Sequence, residues 1–138
     1  MRAWQDPSHE ARSVRVAAVQ HDVVWEDREA NHSHLTGLIA AAAADGADLV
    51  VLTEMFPVGF SLAADRIAEP PDGPSIGFLL EQASEHGLWT AGSVPVADDA
   101  ASMPVNRFLL AGPDGTLHHY DKMYPFTYAG ERDHYRPS

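Results

Sequence analysis

Apolar positions along this chain fall into two rhythms, one close to every second residue and one close to every third or fourth, and the switches between them mark out its elements. Residues 13–20 (Ser-Val-Arg-Val-Ala-Ala-Val-Gln) have the length and valine content of a first strand. From about residue 27 to residue 45, Ala30, Leu35, Leu38, Ile39 and Ala42 recur at helical spacing, and Gly46 stands where a C-terminal cap belongs. The run Leu49-Val50-Val51-Leu52 then reads as a second strand covered on both faces. A helix between two such strands is a crossover unit, so the strands at 13–20 and 48–52 are expected to be parallel neighbours.

Residues 63–68 allow a short helical turn, and Glu69-Pro70-Pro71-Asp72-Gly73-Pro74 must be loop. Ser75 is placed to cap a second helix that runs to Glu85 or His86, with Ile76, Leu79, Leu80 and Ala83 on one face and Gly87 ending it. Residues 88–96 read as a third strand, in which Gly92 allows a close approach and Pro95 suggests interrupted pairing. A polar loop over 98–103 leads to a hairpin: 105–111 and 116–120 flank Gly112-Pro113-Asp114-Gly115, a strong turn signal. Beyond Tyr120 the periodicity stops, and the aromatic and charged stretch to Ser138 has the composition of a binding loop. Strand, helix, strand, helix, strand and hairpin predict an α/β layered domain with a mixed sheet.

The totals narrow what such a domain can do. The 138 residues make one domain at most, large enough to bury a core without disulfides or metals. There is no cysteine, which excludes a thiolate metal site and any cysteine nucleophile supplied by these residues. Nine Lys+Arg against 20 Asp+Glu, net −11, oppose binding to nucleic acid or anionic membrane. Residues 1–12 read as a frayed leader without a signal-peptide pattern, and the longest apolar run, Leu38 to Ala44, is far short of the roughly 18 residues of a membrane span. A soluble, cytoplasmic protein is expected.

Two residues stand out as chemistry. Glu54 follows the second strand at its C-terminal lip, where ligands collect in open α/β sheets. Pro57 and Gly59 force a turn behind it, so Phe56 and Phe60 are expected to line a small apolar pocket beside the carboxylate, surroundings that suit a general base. The bland reading, a carboxylate that caps the next helix or meets a surface arginine, weighs about equally from this stretch alone. Lys122, the only lysine, is hemmed by Tyr120, Tyr124 and Phe126 and is expected to need a carboxylate partner; a snorkelling surface lysine is the alternative. The pairs His32/His34 and His118/His119 point to different sides of their elements and chelate poorly, so neither a metal nor any other cofactor is expected.

Val-Leu-Thr-Glu54-Met-Phe-Pro-Val-Gly-Phe-Ser, Tyr-Asp-Lys122-Met-Tyr-Pro-Phe and Ala-Gly-Glu131-Arg-Asp-His-Tyr resemble the first two catalytic blocks of the nitrilase superfamily of carbon–nitrogen hydrolases. The opening strand ending Ala18-Val19-Gln20 is also similar to that family's first strand, and the aromatic ending most resembles its omega-amidase-like branch. The resemblance implies a four-layer α-β-β-α sandwich, of which residues 13–138 would be the N-terminal part, and a Glu-Lys-Cys mechanism. By that carry-over Glu54 is the general base, Lys122 stabilises the tetrahedral intermediate, and Glu131 orients the lysine and substrate. Phe60 and Tyr124, close to these groups in sequence, are the expected substrate-binding side chains. The substrate would be a small carboxylate-bearing amide. The family's nucleophilic cysteine lies downstream of the glutamate-bearing loop, in a segment this chain does not contain, and Ser61 and Thr53 are poor substitutes because a hydroxyl needs a histidine partner they lack. The resemblance therefore implies a truncated hydrolase domain, with a non-catalytic binding module or an unproductive truncated reading frame as rivals. A sandwich cut midway leaves a bare sheet face, so association with further copies or with a complementary fragment is expected.

Overall fold

The computed structural model describes residues 13–99 and 103–138. The leader expected over 1–12, and the middle of the polar loop expected over 98–103, lie outside the described residues. In chain order the elements are β1 (Val16–Ala18), α1 (Arg28–Ala44), β2 (Leu49–Val51), α2 (Ala64–Ile67), α3 (Pro74–His86), β3 (Trp89–Val96), β4 (Val105–Ala111) and β5 (Leu117–Asp121), followed by short 3-10 turns at Thr127–Ala129 and Glu131–Asp133. They form one five-stranded sheet in the order β1-β2-β3-β4-β5. The first three strands are parallel and the last two antiparallel, so the sheet is mixed and the crossover reading holds.

Local chemistry sets most boundaries. Asp27 caps α1 by accepting the Ala30 N–H at 3.0 Å, and Gly46, at φ +81°, carries the chain out of the helix in the left-handed conformation that glycine adopts without penalty. β1 is shorter than the valine-rich stretch suggests because its only ladder among the described residues is with β2, itself three residues long. α3 starts two residues earlier than expected: Gly73 is the cap and Pro74 the first helical residue, whose missing N–H costs nothing there. Ser75 lies inside the helix instead, its N–H and hydroxyl both donated to the Glu69 carboxylate.

Pro95 does not interrupt β3. Pairing with β4 continues through Pro95↔Asn106 to Val96↔Val105, while on the other edge β2 has already ended opposite Ala91. There the Pro95 carbonyl accepts the Glu69 N–H at 2.9 Å, a link that asks no N–H of the proline. Gly92 is required: a Cβ on it would meet the Phe56 ring at 2.8 Å.

The core lies between the sheet and a single layer of helices. Leu35 and Ile39 of α1 and Ile76, Leu79 and Ala83 of α3 pack on Val50, Val94, Val96, Val105 and Leu109. At about 25 cal/mol per Å² of apolar area removed from water, this burial is the main force holding α1 and α3 to the sheet. Among the described residues the opposite face has no such cover. Of β2 only Val50 is buried, and Phe108 and Tyr120, paired across β4 and β5 on the bare face, are 40% and 51% exposed. The run Leu49–Leu52 is therefore not covered on both faces, contrary to the sequence reading. One helical layer on one sheet layer is half of an α-β-β-α arrangement. The segment after β5 is also more than a surface loop: Tyr135 is fully buried and its hydroxyl donates to the Ser61 carbonyl at 2.8 Å. Among the described residues no helix is long and apolar enough to cross a membrane.

Candidate active site

Glu54 is delivered by a strained turn. The β2–β3 ladder runs one step past β2, with the Leu52 N–H on the Ala91 carbonyl at 2.7 Å, and Met55 then takes φ +53°, a left-handed value that costs a non-glycine residue roughly 1–2 kcal/mol. Three hydrogen bonds hold it there: its N–H donates to Ser93 Oγ at 2.9 Å, and its carbonyl accepts from Val58 and Gly59 at 3.1 and 2.8 Å. The reversal sends Met55 and Phe56 into buried positions and turns Glu54 outward, its side chain 49% exposed.

This changes the walls of the expected apolar pocket. Phe56 is fully buried on the helical side, its ring 6.0 Å from His32 and 6.1 Å from Phe78, and does not line Glu54. The glutamate's hydrogen-bond partners are Lys122 and Asn106, and the apolar side chains near it are Leu52, Phe108 and Tyr120. Phe60 does reach the site, with its ring centroid 5.5 Å from the Lys122 ammonium in a cation–π contact. Tyr124 does not: it is 79% exposed and stands outside the hollow.

Lys122 follows β5, its backbone N–H donating to the Asn106 carbonyl at 3.0 Å, so the hairpin ladder aims its side chain. Nζ donates to Glu54 Oε1 at 2.9 Å and to both oxygens of Glu131, at 3.2 Å for Oε1 and 2.9 Å for Oε2. Glu131 is completely buried and also accepts the Phe126 N–H, which locks the first 3-10 turn against the ammonium. The three ionised groups singled out in the sequence thus converge. Burial by itself would lower the pKa of the Lys122 ammonium, but the carboxylates of Glu54 and Glu131 outweigh it and hold the value above that of an ordinary lysine.

One member of the cluster escaped the sequence reading. Asn106 of β4, 4% exposed, donates from Nδ2 to Glu54 Oε1 at 2.6 Å and to Glu131 Oε1 at 3.3 Å. The available signal was a polar amide beside Val105 in a strand whose other polar residue is Arg107, on the opposite face. The cluster opens on a hollow of about 380 Å³ on the bare face of the sheet, walled by Leu52, Ser93, Phe108 and Tyr120. Ser61, just beyond the strained turn, is occupied elsewhere: its hydroxyl donates to Glu26 at 2.6 Å. Among the described histidines, His32 stacks on Phe78 with ring centroids 4.3 Å apart, and His118 lies over Trp89 at 6.3 Å.

A carboxylate with a spare oxygen, an ammonium and a second carboxylate that keeps the ammonium charged are gathered just beyond a parallel strand, a set able to accept a proton beside a fixed positive charge. The chain belongs to the carbon-nitrogen hydrolase family, whose model matches residues 15–138. It is 34% identical to the omega-amidase YafV of Escherichia coli strain K12 over 123 residues, 89% of this chain and 46% of that protein. To the omega-amidase YafV of Yersinia enterocolitica it is 36% identical over 124 residues, again 89% and 46%. Among solved structures it is similar to XC1258 of Xanthomonas campestris, a CN-hydrolase superfamily protein with an arsenic adduct in its active site, at a TM-score of 0.84 and 34% identity over 91% of this chain and 46% of that one. The yeast nitrilase-superfamily protein Nit3 shares the fold at a TM-score of 0.78 and 24% identity, over 91% of this chain and 48% of that one. The chain spans about half the length of the curated relatives it matches.

Proposed function

We propose that this chain supplies the base and the oxyanion-stabilising half of an amidase site for a small carboxylate-bearing amide, with the nucleophilic thiol coming from outside these 138 residues. The convergence of Glu54, Lys122 and Glu131 within hydrogen-bonding distance of one another carries the reading, and the likeness to omega-amidases supports the substrate class. Glu54 takes the proton of the thiol, and the thiolate attacks the amide carbon. The negative charge that develops on the amide oxygen is stabilised by the Lys122 ammonium, which is already in place and partly shielded from water. Collapse of the tetrahedral intermediate returns the proton to the departing nitrogen and leaves a thioester, which water activated by Glu54 then hydrolyses. Glu131 keeps Lys122 charged throughout.

The bare sheet face around Phe108 and Tyr120 is where we place the complementary, thiol-bearing part of the domain. A second copy of this chain suits that face less well, because two chains of net −11 repel. A cytoplasmic setting, which keeps thiols reduced, fits such a nucleophile.

Ammonia release from monoamides of small dicarboxylic acids, measured on this chain fused to the cysteine-bearing remainder of a family member, tests the reading. Glu54→Gln is expected to lower the rate at least 100-fold, as loss of a positioned base does; an undiminished rate would end it. A second reading is a binding module that keeps the pocket without turnover, which the hollow beside Glu54 and Lys122 would also serve. It predicts calorimetric binding of the same amides by the unfused chain and no hydrolysis by the fusion.

A further inference from the structure

We propose that Asn106 is the positioning residue of this site, the side chain that fixes which oxygen of Glu54 is left free to act. The inference rests on the reading of Glu54 as the base. Both side-chain partners of Asn106 are carboxylates, so only its amide nitrogen can face them, and its two hydrogens are divided between Glu54 Oε1 and Glu131 Oε1. The same two oxygens receive Lys122 Nζ. Glu54 Oε1 is therefore held by two donors, while Oε2 has no protein partner among the described residues and is the oxygen left for a proton arriving from the hollow.

Lys122 alone would not achieve this. Glu54 is 49% exposed, and an ion pair in that setting is too weak to hold a glutamate with three rotatable bonds in one orientation. Asn106 adds a short, charge-assisted hydrogen bond from a rigid base. Its backbone is paired with Pro95 on one side, and on the other its carbonyl accepts the Lys122 N–H. One residue of β4 thus sets the backbone of the lysine and the side chains of both its carboxylate partners. Being neutral, it does so without adding a second cation to compete for the two acids.

The test is nuclear magnetic resonance on the 138-residue chain, where Asn31 and Asn106 are the only asparagines and their side-chain amides are readily assigned. It needs no turnover, so the proposal can fail while the amidase reading stands, and the reverse. Glu54→Gln is expected to shift one of the two Asn106 Nδ2 protons upfield, and Glu131→Gln the other, because a neutral acceptor makes the weaker hydrogen bond. Asn106→Ser is expected to release the Glu54 side chain to fast rotamer averaging, read by carbon relaxation, while Glu131, still held by Lys122 and the Phe126 N–H, stays ordered. A purely structural Asn106 would loosen β4 and both glutamates alike. Should the serine variant not fold, Asn106→Asp at pH 8 keeps the shape, replaces the donor with an acceptor and must release Glu54 in the same way. Equal order of Glu54 in wild type and the folded variant, or Asn106 protons indifferent to both glutamine substitutions, would overturn the proposal.

Discussion

Two buried glutamates in this protein look alike in composition and differ in use. Glu69, at the start of the loop before α3, is 2% exposed, paired with Arg28 and hydrogen-bonded by the N–H and hydroxyl of Ser75, whose oxygen in turn meets His32 Nε2 at 3.0 Å. Glu131 is 0% exposed, paired with Lys122 and hydrogen-bonded by the Phe126 N–H and the Asn106 amide. Each has a cation, a backbone donor and a neutral side-chain donor. The Glu69 cluster closes on itself beneath the helices and ties the starts of α1 and α3 to the edge of β3. The Glu131 cluster differs by a second, half-exposed carboxylate, Glu54, that shares its cation and faces a hollow. A buried ion pair is a structural clamp when all its valences are spent internally; it becomes a reactive site when one charged group keeps a free lone pair toward open space.

Substitutions can break that contrast. Glu69→Ala is expected to have the largest effect on stability, about 3–5 kcal/mol, since it strands Arg28 and leaves the Ser75 donors unsatisfied; chemical denaturation measures it, and a loss below about 1 kcal/mol would mean that the cluster does not clamp α3. Glu131→Gln should cost less, about 2 kcal/mol, because Lys122 retains Glu54.

The pH responses should separate the clusters as well. Burial depresses the His32 pKa below the ordinary 6.5, only partly countered by the Glu69 charge. The native state therefore binds that proton less readily than the unfolded chain, and the contribution is complete above pH 6.5 and is lost as pH falls from there toward the depressed native value. Lys122 runs the other way: its raised pKa gives a contribution that is complete below the ordinary 10.5 and is lost as pH rises through the native value. Melting temperatures followed from pH 4 to pH 12 should show both limbs, the acid one flattened in His32→Gln and the alkaline one in Glu131→Gln; limbs unmoved by either change would refute the assignment. Smallest of all, Glu54→Gln should alter stability by no more than about 1 kcal/mol, as befits a half-exposed pair, even though the reading above assigns it the largest effect on turnover.

Periodicity alone made the elements legible. Ala30, Leu35, Leu38 and Ile39 marked α1, the valines of β1 and β2 marked parallel strands, and Gly112-Pro113-Asp114-Gly115 marked the hairpin, because each signal rests on contacts within a few residues. Glu54, Lys122 and Glu131 were legible through chemistry and resemblance. What failed were statements about surroundings. Phe56 was expected at the site and lies in the core, because the left-handed Met55 reverses the chain in a way that a methionine does not advertise. Pro95 was expected to break the sheet, but the neighbouring strand had already ended on the edge where its missing N–H would have mattered.

The sequence by itself therefore determined which segments are helix and strand, since local sterics and the apolar rhythm decide these, while Glu54, Lys122 and Glu131 stood out through their chemistry and the family resemblance. Only the tertiary structure decided that the three groups meet, that Asn106 joins them, and that Phe56 turns away into the core. Those facts depend on residues brought together from just beyond β2, from β4, from just beyond β5 and from the turn at Glu131, with 68 positions between Glu54 and Lys122, and no local pattern encodes a distance across a sheet.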